Sequence, residues 1–241
     1  MQELWRVKDH CADLMTSYIA YPYLRSNLIT LSNFTDIHSN TITGGFTTSF
    51  GEGHLNVSFS KVELLANKEK LFADNLKHTP FKDSSAKPTL LEKGMQRIAI
   101  AYILTQTARS QNDLGIKISH YCTVFESLFS SDNIELTHKL SERIACFLED
   151  NFDARKKIFK QVKEIYSIRS KVVHGSTINV SADKLKNISK QTDDLVRRVT
   201  NKIQDSADLD KFFRKMNSTE ADNKEFEEYM LDLVLGKPNC A

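Results

Sequence analysis

Apolar residues recur at intervals of three and four along most of the second half of this chain. The clearest case is the series Ile118, Tyr121, Phe125 and Leu128, whose steps are three, four and three. This spacing places the four side chains on one face of an α-helix. Only 8 glycines and 4 prolines occur in 241 residues, so few positions interrupt such helices. Because a helix with one apolar stripe needs neighbours to cover it, the chain is predicted to form a mainly α-helical bundle.

Five such patterns follow one another between residues 91 and 203, with short breaks that favour antiparallel packing. Their apolar faces carry, in turn, Leu91, Met95, Ile98, Tyr102 and Thr105; Ile118, Tyr121, Phe125 and Leu128; Leu136, Leu140, Ile144 and Phe147; Phe159, Val162, Ile165 and Val172; and Leu185, Ile188, Thr192, Leu195, Val199 and Ile203. Asp153 is a candidate N-cap of the fourth helix, and Ser181 marks the start of the fifth. These patterns predict an antiparallel helical bundle over residues 89–206.

A small α+β segment is predicted for residues 1–88. Helical spacing indicates helices over residues 4–18, 24–31 and 64–76. The alternation of apolar and polar residues over 55–60 indicates a strand of a short β-hairpin or meander. Residues 77–88 contain two prolines and two serines without any period, and they are interpreted as the connection to the bundle.

Residues 207–241 are predicted to form a helical tail that is acidic. Six carboxylates and one lysine lie between residues 220 and 232. One hypothesis is that this tail covers a basic face of the bundle, either within one chain or across a dimer.

Positive charge is concentrated on the fourth and fifth helices of the bundle, although the formal net charge of the chain is only +2. Seven cations and two anions between residues 153 and 171 give this segment a net charge of +5. Such a surface attracts polyanions, and it is predicted to bind RNA. The candidate RNA-binding residues are Lys160, Lys163, Lys171, Arg197 and Arg198. A solvated basic face without a ligand is the alternative interpretation.

Residues 159–175, FKQVKEIYSIRSKVVHG, contain the strongest candidates for chemistry. Arg169 falls on the apolar stripe, so its guanidinium must be paired or must face a cleft. Gly175 is a typical helix stop, which places His174 in the last turn, where the helix dipole favours a protonated imidazole. On an ideal helix the two residues are offset by about 140°, so they converge only if the helix end unwinds.

A permanent cation beside a titratable ring suits the cleavage of RNA. Histidine transfers protons near neutral pH, and arginine binds phosphate oxygens through a fixed fork of donors. This scheme requires neither a metal ion nor a cofactor. The alternative is structural: Arg169 pairs with a buried carboxylate such as Glu126, and His174 only caps its helix.

Three successive segments, ISHYCTVFESLFSS, LTHKLSERIACFLE and ARKKIFKQVKEIYSIRSKVVHG, carry a longer pattern. They resemble the ApeA-like branch of the HEPN superfamily (higher eukaryote and prokaryote nucleotide-binding domains), which has the signature Arg-x4-6-His. The resemblance covers about residues 91–205. His138, in the second segment, is predicted to have a packing or surface role.

The resemblance implies an all-α bundle, commonly a homodimer in which two Arg/His pairs meet at the subunit interface. Many members are metal-independent ribonucleases of toxin–antitoxin, anti-phage or abortive-infection systems, with an antitoxin or another defence protein as partner. The expected function is therefore an endoribonuclease that acts by attack of the 2′-hydroxyl. The alternative is a non-catalytic module that binds RNA or nucleotides, or that mediates dimeric interactions.

The family roles are carried over to matching positions of this chain. Arg169 would orient the phosphate and His174 would transfer protons. Glu126 matches the acidic position of the branch and would orient Arg169 or His174, or it is a buried structural partner of Arg143 or Arg169. Ser170 could contribute a hydrogen bond. Tyr166, one turn before Arg169, would support the site by stacking on a base or lining it, or it packs in the core. Many catalytic members have Asn, Asp or His at the position that Ser170 occupies.

The sequence also predicts where the protein resides. No apolar run approaches the ~18 residues that a membrane span requires, and the charged start MQELWRVKDHC does not resemble a signal peptide. The four cysteines are widely separated, which favours reduced thiols over disulfides or a zinc site. A cytoplasmic protein without membrane contact is therefore expected.

Overall fold

Helices dominate the structure, as predicted. A computed structural model describes residues 2–11, 16–22, 34–41, 45–53, 56–67, 96–131, 134–215 and 219–236. In chain order the elements are α1 (Gln2–Val7), β1 (Thr16–Pro22), β2 (Phe34–Thr41), α2 (Lys61–Ala66), α3 (Arg97–Arg109), α4 (Leu114–Phe129), α5 (Leu136–Leu148), α6 (Phe152–Val173), α7 (Ala182–Asp205), α8 (Ala207–Phe213) and α9 (Glu220–Val234). In this described part, no helix combines the length and the apolar character that crossing a membrane requires.

The helix α4 lies at the centre of the bundle and packs against α3, α5, α6 and α7. Its predicted face of Ile118, Tyr121, Phe125 and Leu128 is fully buried. Burying a side chain such as Phe125 contributes roughly 2 kcal/mol through the hydrophobic effect. The prediction that Tyr102 lies in the core is wrong, because this side chain is 41% exposed. The reason is that α3 packs mainly against α4, so its buried stripe is narrow.

Side-chain caps determine where the two long helices begin. The Asn151 Oδ1 atom accepts hydrogen bonds from the backbone N–H groups of Asp153, at 2.9 Å, and Ala154, at 3.2 Å. The N-cap of α6 is therefore Asn151, and the prediction of Asp153 is wrong; Asp153 lies in the first turn, where its charge favours the helix N-terminus. Ser181 caps α7 as predicted and accepts a hydrogen bond from the Lys184 N–H at 3.3 Å.

A buried polar cluster joins α1, α4 and α7. The Asp193 carboxylate is 1% exposed and accepts hydrogen bonds from Trp5 Nε1, at 2.9 Å, and from the Tyr121 hydroxyl, at 2.6 Å. Arg197 forms an ion pair with the same carboxylate. The Asp193 carboxylate, the Trp5 N–H and the Tyr121 hydroxyl are thus all paired inside the core, whereas the buried Nε atom of Arg197 has no hydrogen-bond partner among the described residues.

Residues 45–53 cross the end of α3 and enclose a buried lysine. The Thr47 backbone N–H donates to the Arg109 carbonyl at 2.7 Å, and its hydroxyl donates to the same oxygen at 2.9 Å. The Nζ atom of Lys117 donates to the Thr47 hydroxyl oxygen at 2.8 Å and to the Ala108 carbonyl at 3.1 Å. Burial lowers the pKa of the Lys117 ammonium to about 8.

Lys117 is expected to make stability depend on pH above pH 8. Between pH 8 and the ordinary lysine pKa of 10.5, the unfolded chain binds a proton that the folded chain has released. The contribution of Lys117 to the free energy of unfolding therefore rises with pH across this window, by roughly 3 kcal/mol in total. Urea unfolding at pH 7.5 to 10.5 should show that the difference in the free energy of unfolding between the wild type and Lys117→Met changes with pH. The exposed Lys186→Met is the control, and a constant difference for Lys117→Met would contradict the prediction.

The first strand occupies a stretch that was predicted to be helical. The helix predicted over residues 4–18 ends at Val7, and Thr16–Pro22 pairs antiparallel with Phe34–Thr41. Tyr18, Ile19 and Tyr21 are residue types that favour strands, and the ladder overrides the helical spacing. The predicted helix over 24–31 and the predicted connection over 77–88 lie outside the described residues.

Residues 56–60 are irregular, so the strand predicted there is wrong. Val57 and Phe59 are half-buried, whereas Asn56, Ser58 and Ser60 are exposed. The alternation therefore reflects the burial of every second side chain of a single segment, without a strand ladder. This segment leads into α2, whose N-cap is Ser60.

The C-terminal helix α9 packs principally against α5. Phe226, Met230 and Leu233 are buried, and the Arg97 guanidinium lies 3.7 Å from the centre of the Phe226 ring. Glu227 forms an ion pair of 2.8 Å with Arg143 of α5. This acidic segment is thus attached to the bundle through an apolar face and a specific ion pair.

Candidate functional site

A cleft opens between the start of α5 and the C-terminal half of α6. Its volume is 580 Å³. The lining residues are Glu135, Leu136, Thr137 and His138 from the α5 side and Lys163, Tyr166, Arg169 and Ser170 from α6. Four of the predicted site residues, Lys163, Tyr166, Arg169 and Ser170, are therefore brought together in one place. The volume is typical of sites that bind small molecules or single nucleotides.

Arg169 is held in the cleft by an ion pair with α4. Its Nη2 atom lies 3.2 Å from Oε1 of Glu126, and the two side chains are 27% and 19% exposed. The guanidinium Nε atom is buried and has no hydrogen-bond partner among the described residues. Arg169 is thus partly neutralised on one side and has not used all its donors. This arrangement matches the structural alternative for Glu126 and still leaves a cation at the cleft.

Tyr166 and Glu126 contact one another beneath Arg169. The Tyr166 hydroxyl donates to the Cys122 carbonyl at 3.1 Å and lies 3.4 Å from Glu126 Oε1. Burial raises the pKa of the Glu126 carboxyl above its usual value, and the Arg169 guanidinium opposes this rise. Tyr166 is only 3% exposed, so it forms the floor of the cleft.

His174 lies at the end of α6, one turn beyond the cleft. Its backbone N–H donates to the Ser170 carbonyl at 3.1 Å, the normal i to i−4 bond of an α-helix. Gly175 has φ 63°, and the Ser176 backbone N–H donates to the Lys171 carbonyl at 2.8 Å. The helix therefore ends in a Schellman motif at the glycine that the sequence predicted as its stop. Because the helix does not unwind between Arg169 and His174, their offset of about 140° is retained. His174 is exposed and shares a face with Ser170.

His138 is a cleft residue that sequence reasoning placed elsewhere. It lies in the first turn of α5, and its ring packs edge-on against Phe159, with 5.4 Å between ring centres. The predicted packing role is therefore present, but the same side chain also lines the cleft with Arg169. The packing of α5 on α6 brings these two residues together across 31 positions of sequence, and spacing within one helix cannot reveal such a contact.

The remaining predicted RNA-binding residues have different environments. Lys160 is exposed and Lys171 is half-buried on α6. Arg197 pairs with the buried Asp193 and lies 5.4 Å from the Trp5 ring, and Arg198 pairs with Glu149. Both arginines are thus engaged in ion pairs within the protein, and they are less available to a ligand than the lysines of α6.

In the part of the chain that the structure describes, no group of three or more His, Cys, Asp or Glu side chains is close enough to hold a metal ion.

Comparisons with protein-family models, with curated proteins and with solved structures found no match to this chain.

Proposed function

We propose that this chain is a metal-independent endoribonuclease whose residues 89–206 form a bundle of the HEPN type. The observation that carries the proposal is the cleft of 580 Å³, which gathers Arg169, Lys163, Ser170 and His138. The two cations Lys163 and Arg169 attract phosphate to the cleft, and the imidazole of His138 adds a group that transfers protons. The motifs in α4, α5 and α6 support the same proposal through their resemblance to the superfamily.

In the proposed reaction, the 2′-oxygen of a ribose attacks the adjacent phosphorus. A bond forms between the 2′-oxygen and phosphorus while the bond to the 5′-oxygen of the next nucleotide breaks. The His174 imidazole of one copy removes the proton from the 2′-hydroxyl, and the protonated His174 imidazole of the second copy supplies one to the departing 5′-oxygen. Arg169 stabilises the negative charge on the non-bridging oxygens. The products are a 2′,3′-cyclic phosphate and a 5′-hydroxyl, and no metal or cofactor takes part.

The proposal includes a homodimer that places a second copy beside His174. Apolar side chains are exposed there: Val173 is 54% exposed and Ile116 is 42% exposed. Their two helices adjoin, because a Cβ added to Gly115 would lie 3.1 Å from a Val172 methyl group. A second copy on this surface would bring two Arg169/His174 pairs near one another. A cytoplasmic toxin or anti-phage setting, with an antitoxin or another defence protein as partner, belongs to the same proposal.

The purified chain is expected to cleave single-stranded RNA in the presence of EDTA and to leave DNA of the same sequence intact, because DNA lacks the 2′-hydroxyl. Replacing His174 by alanine should lower the cleavage rate by roughly 10²- to 10⁴-fold, the usual contribution of a proton-transfer group. Gel analysis of end-labelled RNA, with mass spectrometry of the fragment ends, measures both effects. Ser176→Ala, at an exposed position two residues away, is the matched control. Cleavage by His174→Ala at the wild-type rate would refute the assignment.

A non-catalytic RNA-binding module is the second candidate. The observation that favours it is the Arg169–Glu126 ion pair of 3.2 Å, together with the position of His174 one turn beyond the cleft. Such a module would bind RNA with a strong dependence on salt and without turnover. The EDTA experiment separates the two candidates, because only the ribonuclease yields a cyclic phosphate.

A further inference from the structure

We propose that one face of α6 is a track for single-stranded RNA that leads into the cleft. The inference rests on the proposed function, because the track and the ribonuclease share this cleft. The face, named here the α6 stripe, consists of Phe152, Lys156, Phe159, Lys163, Tyr166, Ser170 and His174. Successive members are three or four residues apart, so all seven lie within about 40° of one line along the helix. Aromatic and basic residues alternate over its first four positions.

The exposed end of the α6 stripe is formed by Phe152. This ring is 73% exposed although it belongs to a regular helix, and the Nζ atom of Lys156 lies 5.8 Å from its centre. Two turns further along, the Nζ atom of Lys163 lies 5.5 Å from the centre of the Phe159 ring. The Phe159 ring is partly buried against the core and packs edge-on against His138, which lines the cleft. Two aromatic rings, each with its own ammonium group, thus precede the cleft.

The charge of the α6 stripe favours an anionic ligand. None of its seven positions is acidic, and Lys156 and Lys163 form no ion pair with any described residue. The two carboxylates of α6 lie on other faces: Asp153 is in the first turn, and Glu164 pairs with Lys184 of α7 at 2.8 Å. One carboxylate, Glu135, belongs to the lining of the cleft itself. Tyr166 and Ser170 continue the α6 stripe into that lining.

Alternating rings and cations are the chemistry that binds single-stranded nucleic acid, because bases stack on the rings and phosphates contact the cations. Double-stranded RNA keeps its bases stacked inside the helix and offers no free base to Phe152. From Phe152 to Ser170 the α6 stripe extends about 27 Å at 1.5 Å per residue. A stacked strand with about 3.4 Å per nucleotide would place at most about eight nucleotides along it.

The test measures binding of RNA that cannot be cleaved, so that its result is independent of catalysis. The probes are single-stranded oligonucleotides of 2 to 12 nucleotides, fully 2′-O-methylated, followed by fluorescence anisotropy at several salt concentrations. The affinity is expected to rise with length and to level off by about eight nucleotides. Phe152→Ala should weaken binding by roughly 5- to 100-fold, because a stacking platform is lost. Lys156→Ala should reduce the slope of log affinity against log salt by about 0.7.

Lys157→Ala is the matched control, because Lys157 is also exposed but lies about 100° further round the helix from Lys156. The inference is overturned if Phe152→Ala binds like the wild type, if Lys157→Ala weakens binding as much as Lys156→Ala, or if duplex RNA of equal length binds equally well. The two proposals fail separately. Length-dependent binding without any cleavage of unmodified RNA would refute the ribonuclease and retain the track. Cleavage of RNA with no effect of Phe152→Ala would refute the track and retain the ribonuclease.

Discussion

Replacing Asp193 by alanine is expected to lower the free energy of unfolding by about 3–5 kcal/mol, the cost of breaking a buried charged pair. The carboxylate is 1% exposed and serves three donors, from Trp5, Tyr121 and Arg197. Trp5 and Tyr121 are fully buried, so water cannot replace the lost acceptor. Burial beside this carboxylate also raises the pKa of the Tyr121 hydroxyl well above its usual value, so the hydroxyl stays a donor in alkaline solution as well.

Chemical unfolding in urea measures this loss, and the neighbouring aspartate provides the control. Asp194 is exposed, and its replacement by alanine should change the free energy of unfolding by no more than about 0.5 kcal/mol. The free energy of unfolding of Asp193→Asn should lie between those of Asp193→Ala and Asp194→Ala, because the amide retains one acceptor oxygen but loses the charge that faces Arg197. Equal stabilities of Asp193→Ala and Asp194→Ala would show that the buried cluster contributes nothing.

Asp193 also illustrates which part of the fold the sequence could not predict. In the pattern of α7 it stands beside Asp194 and adds one more charge to a basic helix. Its burial follows from the contacts of α7 with α1 and α4, which come from distant parts of the chain. Lys117 is a similar case, since a lysine in an amphipathic helix is expected to be solvated. Apolar spacing predicted the α4 and α7 faces well because it depends only on neighbours along the same helix.

The strand predictions failed for a related reason. Strand pairing between residues 16–22 and 34–41 depends on two segments that are separated in sequence, and β2, with the sequence FTDIHSNT, has little apolar alternation. Residues 56–60 show clear alternation but form no ladder with any described segment. Periodicity reports which side chains are buried, and it does not report which backbone is paired.

The candidate site was predicted in part. The position of Arg169 on the apolar stripe required a partner or a cleft, and the structure provides both through Glu126 and the 580 Å³ opening. The helix stop at Gly175 was predicted correctly from its residue type. The place of His138 in the cleft was missed, because it depends on how α5 lies against α6. The convergence of Arg169 and His174 within one chain required an unwound helix end, and the regular hydrogen bonds of α6 do not provide it.

Removal of the Arg169 guanidinium is expected to have a large effect on activity. Arg169→Ala should lower the rate of RNA cleavage by roughly 10²- to 10³-fold, the usual loss when one donor to a developing oxyanion is removed. Arg169→Lys should recover little of this rate, because an ammonium group retains the charge but not the planar fork that matches two phosphate oxygens. Single-turnover cleavage of end-labelled RNA in EDTA measures both variants.

A purely structural role for Arg169 would also reduce cleavage, so the ion pair with Glu126 must be tested separately. Arg169→Ala leaves a carboxyl that is 19% exposed without its partner, and burial already raises the pKa of this group. Adding Glu126→Gln removes the unpaired acid, and the double variant should therefore be more stable than Arg169→Ala alone. If Arg169 acts on phosphate, the double variant regains stability but not cleavage. Glu126→Gln alone should keep most of the cleavage activity and bind RNA more tightly, because the guanidinium is no longer neutralised. Recovery of cleavage in the double variant would instead assign Arg169 to the structure of the bundle, with no part in the reaction.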